Sequence, residues 1–180
     1  HGSFVGIEAD HFRVATAIAK AFPNTEVIGL DADEASVLRA RALAASAGAG
    51  PNLSFVATTT RGLAANGGFD LITACDCVHD FAAPQTTLGE IRALLKADGT
   101  LFVMEPKAAD RLEDNKNALG TLYYGFSIFH CMTQSLAHGG PGLGTRRAPG
   151  AARPGLALRH RRRRRRLRRP RAGRALGRLA

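Results

Sequence analysis

Along residues 12–104 the sequence alternates short runs of β-forming residues with helix-forming stretches, and that alternation narrows the chain to a small group of folds. Residues 12–22 (FRVATAIAKAF) have amphipathic helical spacing, with Val14, Ile18 and Ala21 on one face. Pro23-Asn24 ends this helix. Residues 26–30 (EVIGL) read as a buried strand. Residues 34–47 are Ala-rich and strongly helix-forming, closed by Gly48. Residues 53–57 (LSFVA) and 69–74 (FDLITA) read as two more strands. Residues 85–96 form a helix with Leu88, Ile91 and Leu95 at i, i+3 and i+7. Asp98-Gly99 then turns the chain into a fourth strand, residues 100–104 (TLFVM). Strand–helix–strand alternation with loops this short means βαβ units, and hence an α/β fold with a doubly wound, mostly parallel sheet. Ligands of such sheets bind beyond the carboxyl ends of the strands. The informative residues are therefore Asp31, Thr58 to Thr60, Cys75 to Asp80, and Glu105-Pro106.

Charge divides the chain in two. The formal net charge is +10, yet residues 1–145 carry ten Lys and Arg against fifteen Asp and Glu. Residues 146–180 hold fifteen Arg and no acid. An acidic body thus precedes a basic tail, which contains the run RHRRRRRRLRRP. The tail uses only Arg, Ala, Leu, Gly, Pro and His. Nucleic-acid arms usually mix in Lys and Ser and interleave aromatics for base stacking. This vocabulary is instead that of GC-rich coding sequence read out of frame. The tail is expected to be disordered and to bind polyanions without specificity and in a salt-sensitive way. Three cysteines without a C-x-x-C pair argue against a disulfide framework and suit a cytoplasmic location. No apolar run reaches the length of a membrane span.

Several residues at the predicted strand ends suit chemistry. Asp31 is acceptor-only and able to take both hydroxyls of a ribose. The competing reading is helix capping, a role that Asp33 fills equally well. CDCVHD, residues 75–80, places two acids and a histidine beyond a strand. His79 has an intrinsic pKa suited to a general base, and Asp76 could contact substrate or a cofactor's amino group. Alternatively, Asp80 caps the next helix and His79 lies on the surface. Adjacent helical residues do not face each other, so His79 and Asp80 are not expected to pair. No metal is expected at Cys75, Cys77 and His79, because alternating spacing within six residues cannot wrap a tetrahedral zinc without further ligands. In residues 110–136, Leu122, Phe126, Phe129 and Met132 recur at helical spacing. The favoured reading is a core-packing helix, the other a cap over the ligand crevice. Residues 139–145 (GGPGLGT) follow no strand and lack the lysine of a phosphate loop, so they read as an ordinary loop.

AFPNTEVIGLDADEASVLRARALAASAG, FDLITACDCVHD and IRALLKADGTLFVMEP together resemble a class I S-adenosylmethionine-dependent methyltransferase over roughly residues 11–145. YYGFSIFHCMTQSLAHGGPGLGT is similar to a bacterial subgroup with an upstream winged-helix dimerisation domain and a helical lid. The resemblance implies a Rossmann-like sheet of seven strands and S-adenosylmethionine as cofactor. It implies that Asp31 and the adjoining Ala32 bind the ribose, and that Thr58, Thr59, Cys75 and Asp76 face the rest of the cofactor. It also implies that His79 and Asp80 act at the reacting centre, and that Tyr124, Phe126, His130 and Cys131 shape the pocket of a small-molecule acceptor. Gly2 is the candidate for the last glycine of the family's cofactor loop. It lies 29 positions before Asp31, against a usual spacing of about 20. On this reading the first strand is missing and the fold is incomplete and crippled, with a partial domain at 1–145, its lid at 110–145, and the tail at 146–180. A homodimer is then expected only of a full-length relative. Two other readings stand beside this one: an acidic module tethering an Arg-rich arm to nucleic acid, and a Rossmann-type enzyme that uses a dinucleotide.

Overall fold

The computed structural model describes residues 2–7, 12–63, 68–109, 111–142, 144 and 158–159. The first element is a strand, β1 (Gly2–Ile7). It is followed by α1 (Phe12–Ala21), β2 (Thr25–Asp31), α2 (Glu34–Ser46), β3 (Leu53–Ala57), β4 (Phe69–Cys75), α3 (Pro84–Leu94), β5 (Leu95–Met104), α4 (Ala118–Phe129), α5 (Cys131–Ala137) and the two-residue β6 (Leu158–Arg159). The sheet order is β3-β2-β1-β4-β5-β6. The first five strands pair in parallel, and β6 pairs antiparallel with β5 through Thr100↔Arg159 and Leu101↔Leu158.

The winding is double, and two apolar clusters show it. Along β1, Phe4 points to one face and Val5 and Ile7 to the other, as the two-residue period of a strand requires. Phe4 joins Ala15 and Ala19 of α1, Val37, Ala40 and Ala44 of α2, and Val27 and Phe55 of the sheet. Val5 and Ile7 join Leu30, Ile72, Ala74 and Ile91 of α3. In β4 the pairing register shifts between Phe69 and Leu71. Phe69 lies in the same cluster as Ile72, three positions on, against strict alternation.

Several sequence expectations need correction here. The first strand is present: β1 lies in the middle of the sheet, hydrogen-bonded to both β2 and β4. The stated reason for an incomplete, crippled fold therefore fails. Gly2 starts β1 and pairs with Thr25, the first residue of β2. It sits at the amino edge, a full strand length from Asp31, so Gly2 is not a glycine of the cofactor loop. The connection that would carry such a loop, residues 8–11 (EADH), has no glycine in its sequence and lies outside the described residues. The inward face of α1 centres on Ala15 and Ala19, while Ala21 is exposed. Small side chains let this helix pack close to the sheet. The strand after α3 begins at Leu95, so Lys96, Asp98 and Gly99 belong to β5 rather than to a helix and turn.

The core-packing reading of α4 also fails. Leu122, Phe126 and Phe129 are 53%, 64% and 85% exposed. The helix starts on an Asn117 cap, whose Oδ1 accepts from the Gly120 amide at 2.9 Å. The segment before it is held by buried Asn115. The Asn115 side chain accepts from the Ala109 amide at 2.8 Å. It donates to the carbonyls of Ala109 and Arg111 at 2.8 and 3.1 Å and to the Tyr124 hydroxyl at 3.3 Å. The expectation of a disordered tail falls on residues outside the described ones, except at Leu158–Arg159, which pair with β5. Among the described residues no helix is long and apolar enough to cross a membrane.

Candidate active site

Strand order reverses between β1 and β4, and a doubly wound sheet opens its ligand crevice at the carboxyl ends of the strands at such a point. Near this point a small cavity of about 10 Å³ is lined by Gly6 and Ile7 of β1, Phe12, Val14 and Ala15 of α1, Gly29, Phe55, and Thr73 and Cys75 of β4. Asp31 is the last residue of β2, half-buried, and its Oδ1 accepts the Asp33 amide at 2.8 Å. Asp33 takes the capping role: it accepts from the Ala35 and Ser36 amides at 3.4 and 2.8 Å. The Thr58 amide donates to the Asp31 carbonyl at 2.8 Å, so the ends of β2 and β3 are locked side by side. Ala32 and Thr59 are exposed next to them, and Thr60 turns inward to give its hydroxyl to Glu90 at 2.5 Å.

The end of β4 is more strongly shaped. Asp76 is exposed and is the one non-glycine with positive φ (55°) among the described residues. Its amide donates to the Met104 carbonyl at 2.6 Å, tying the turn to β5. This backbone kink sends the chain into a 3-10 turn, Val78–Asp80, whose His79 is only 7% exposed. Glu105, the residue after β5, organises that turn. Its Oε1 accepts the Cys77 and Val78 amides at 3.1 and 2.8 Å, and its Oε2 accepts His79 Nδ1 at 2.5 Å. On the other side of the ring, His79 Nε2 stands 3.3 Å from Asp80 Oδ1. That contact is an ion-pair distance without hydrogen-bond alignment, and Asp80 Oδ1 is buried with no hydrogen-bond partner. His79 is therefore not a surface residue, and it does face Asp80: the 3-10 turn replaces the α-helical geometry on which the sequence argument rested.

The charges of this cluster follow from burial. Burial alone lowers the His79 pKa, but the Glu105 hydrogen bond and charge, with Asp80 and Asp76 behind them, outweigh it and raise the net value. Burial raises the Asp80 carboxyl, against the opposing effects of His79 and a hydrogen bond from the Cys131 thiol. Burial pushes the Cys131 thiol up to about 11, reinforced by the Asp80 charge. Burial also raises Cys75, followed by Glu105 and Asp76. His79 thus lies between two carboxylates, Glu105 and Asp80, which favour its protonated form.

The residues assigned to the acceptor pocket split apart. Cys131, the first residue of α5, is buried against Asp80, and Ser135 one turn on donates to the Phe81 carbonyl at 3.3 Å. Tyr124 is half-buried through its contact with Asn115, whereas Phe126 and His130 are exposed. Glu105 is the residue that the assignment of roles missed. Its position after a strand marked it, but nothing local in the sequence shows that it reaches His79, 26 residues earlier.

Residues 9–138 match the family model described as a methyltransferase domain, and the chain belongs to that family. No curated protein matches the sequence. Among solved structures, one described as a methyltransferase from Bacillus halodurans C-125 is 19% identical with a TM-score of 0.57, over 71% of this chain and 52% of the other. A plantazolicin methyltransferase, solved with a pentazolic desmethyl analogue and S-adenosylhomocysteine (SAH), is 16% identical with a TM-score of 0.53, over 75% and 46%. The O-methyltransferase of a trans-AT PKS multienzyme from Brevibacillus brevis, solved with S-adenosylhomocysteine, is 14% identical with a TM-score of 0.52, over 58% and 35%. At these identities the likeness is one of fold, the Rossmann-like class I methyltransferase fold. The chain spans about half or less of the length of these relatives.

Proposed function

We propose that the chain binds S-adenosylmethionine in the crevice between β1 and β4 and transfers its methyl group to a small-molecule acceptor. The observation that carries this reading is the position of Asp31: a carboxylate at the carboxyl end of β2, one strand from the switch point, in a member of the methyltransferase family. The donor set suits the cofactor. Asp31, beside Ala32, takes the ribose hydroxyls. Thr58 and Thr59 would face the adenine, and Cys75 and Asp76 the sulfonium end. Phe12, Val14 and Phe55 give the small cavity beside α1 an apolar wall.

The cofactor supplies an electrophilic methyl carbon. When bound, it would give that methyl to an acceptor's lone pair, with the carbon–sulfur electron pair left on sulfur. The protein's part is to hold the acceptor in line and to receive the proton that an oxygen or nitrogen nucleophile sheds. Asp80 is the proton acceptor in this reading, its Oδ1 already without a hydrogen bond. His79 holds Asp80 in place, with Glu105 fixing the ring. Tyr124, Phe126, His130 and Cys131 bound the acceptor from the side of α4 and α5. The protein works in the cytoplasm, and neither nucleic acid nor membrane is its partner.

The test is transfer of label from methyl-labelled S-adenosylmethionine to a panel of small phenols, alcohols and amines. Asp80→Asn should lower kcat more than tenfold, on the scale of general-base removal, with S-adenosylhomocysteine binding unchanged. Full transfer by Asp80→Asn would remove Asp80 from the chemistry.

A further inference from the structure

Beneath α5, three different metal-binding atoms converge. One ring nitrogen of His79, one carboxylate oxygen of Asp80 and the Sγ of Cys131 all lie within 4.8 Å of one another. We propose that these three residues form a site for a zinc-type divalent ion, which fastens α5 to the turn after β4. The sequence argument against zinc was that Cys75, Cys77 and His79 lack further ligands. The fold supplies two, but with a different cysteine: Cys131 comes from a helix beyond β5, and Cys75 and Cys77 take no part.

Four features support the site. First, two ligands bonded at about 2.0–2.1 Å to a tetrahedral ion stand about 3.3 Å apart. The Nε2 to Oδ1 distance is already 3.3 Å. Second, Asp80 Oδ1 is buried without a hydrogen bond and meets His79 Nε2 only at ion-pair distance, so it has acceptor capacity left for a ligand. Third, Glu105 Oε2 accepts His79 Nδ1 at 2.5 Å. A carboxylate on the far nitrogen is the arrangement that fixes the tautomer and aims Nε2 in metal-binding histidines. Fourth, the donor set is one imidazole, one carboxylate and one thiolate. That mixture suits Zn2+ or Co2+, whereas Mg2+ and Ca2+ prefer oxygen alone.

Three protein ligands leave the fourth position of a tetrahedral ion to water. Coordination replaces the Cys131 thiol proton and any proton on His79 Nε2, and both leave to solvent. The ion also occupies Asp80 Oδ1, so it competes with that oxygen's role in proton transfer. The metal site does not depend on methyl transfer, and its test reads binding alone.

Titrating Co2+ into the full reduced chain gives that test. The expected result is a thiolate-to-cobalt charge-transfer band in the near ultraviolet, saturating at one ion per chain and erased by Zn2+. Cys131→Ser, nearly isosteric, should abolish the band, while Cys77→Ser keeps it. Glu105→Gln should weaken Co2+ binding about ten- to a hundredfold, the usual effect of losing such a partner. No band in the wild-type chain, or a band that survives in Cys131→Ser, overturns the proposal. A far-ultraviolet spectrum matching wild type confirms that the Cys131→Ser chain is folded when the band is read.

Discussion

Glu105 and His79 share a 2.5 Å hydrogen bond that joins the ends of β5 and β4. With the two amide contacts of Glu105 Oε1, it turns the segment after β4 into a fixed ledge beside the crevice. The side chain of Glu105 thereby does what a regular element does elsewhere: it satisfies the backbone of Cys77 and Val78 where no strand can.

The raised His79 pKa makes stability depend on pH. A histidine whose pKa is higher in the folded than in the unfolded chain stabilises the fold fully below its unfolded pKa, about 6.5. That contribution disappears as pH rises through the folded value. Raised Asp80 acts in the same direction, starting from its ordinary value of 3.8. The urea midpoint should therefore fall as pH rises above about 6.5 in the wild-type chain. Glu105→Gln should flatten that slope around neutrality. A midpoint that rises over this range would show that folding does not raise the His79 pKa.

Asp31 and Asp33 should separate binding from stability. Asp33→Ala removes the α2 cap and should lower Tm while leaving the affinity for S-adenosylhomocysteine within about twofold. Asp31→Ala should do the reverse and weaken binding about tenfold or more, the scale of lost hydrogen bonds to a buried hydroxyl pair. Equal effects of the two substitutions on affinity would remove the ribose role from Asp31.

Asn115 should behave as the staple of the segment before α4. Asn115→Ala leaves the Ala109 amide and two carbonyls without their partner. The expected cost is about 2 kcal/mol, which speeds exchange of the Ala109 amide by a factor on the order of 30. Exchange at the wild-type rate would mean that the side chain is dispensable there.

How far the sequence revealed this molecule depends on the range of the interaction involved. The strands around Val27, Phe55 and Ile72 were legible because apolar runs bounded by turn residues are local signals. β1 was not, because its six residues include two glycines, and a glycine near the start of the chain invited a loop reading. Its identity as a strand comes from β2 and β4 on either side. Asp31 was legible, since position at a strand end fixes its surroundings. The burial of His79 was not legible, because it is decided by Glu105 and by a 3-10 turn that no periodicity announces. Phe126 and Phe129 have a core-like spacing, yet spacing shows only that residues share a face, not that anything covers it.

Gly29 of β2 should prove a packing requirement. A Cβ built there would come within 2.2 Å of Cδ1 of the Phe55 ring on β3. Gly29→Ala should destabilise the fold by about 1–3 kcal/mol. Trimming the ring with Phe55→Leu should recover part of that loss, so that the double variant is more stable than the sum of the single effects predicts, by about 1 kcal/mol. Strict additivity would show that the two residues do not meet as described.

Calorimetric titration of S-adenosylhomocysteine into the full chain tests the central claim most directly, because it asks about the crevice without needing the acceptor. The account predicts one site per chain with micromolar affinity, and loss of that heat in Asp31→Ala while the fold persists. A cooperatively folded chain that takes up no S-adenosylhomocysteine would contradict it.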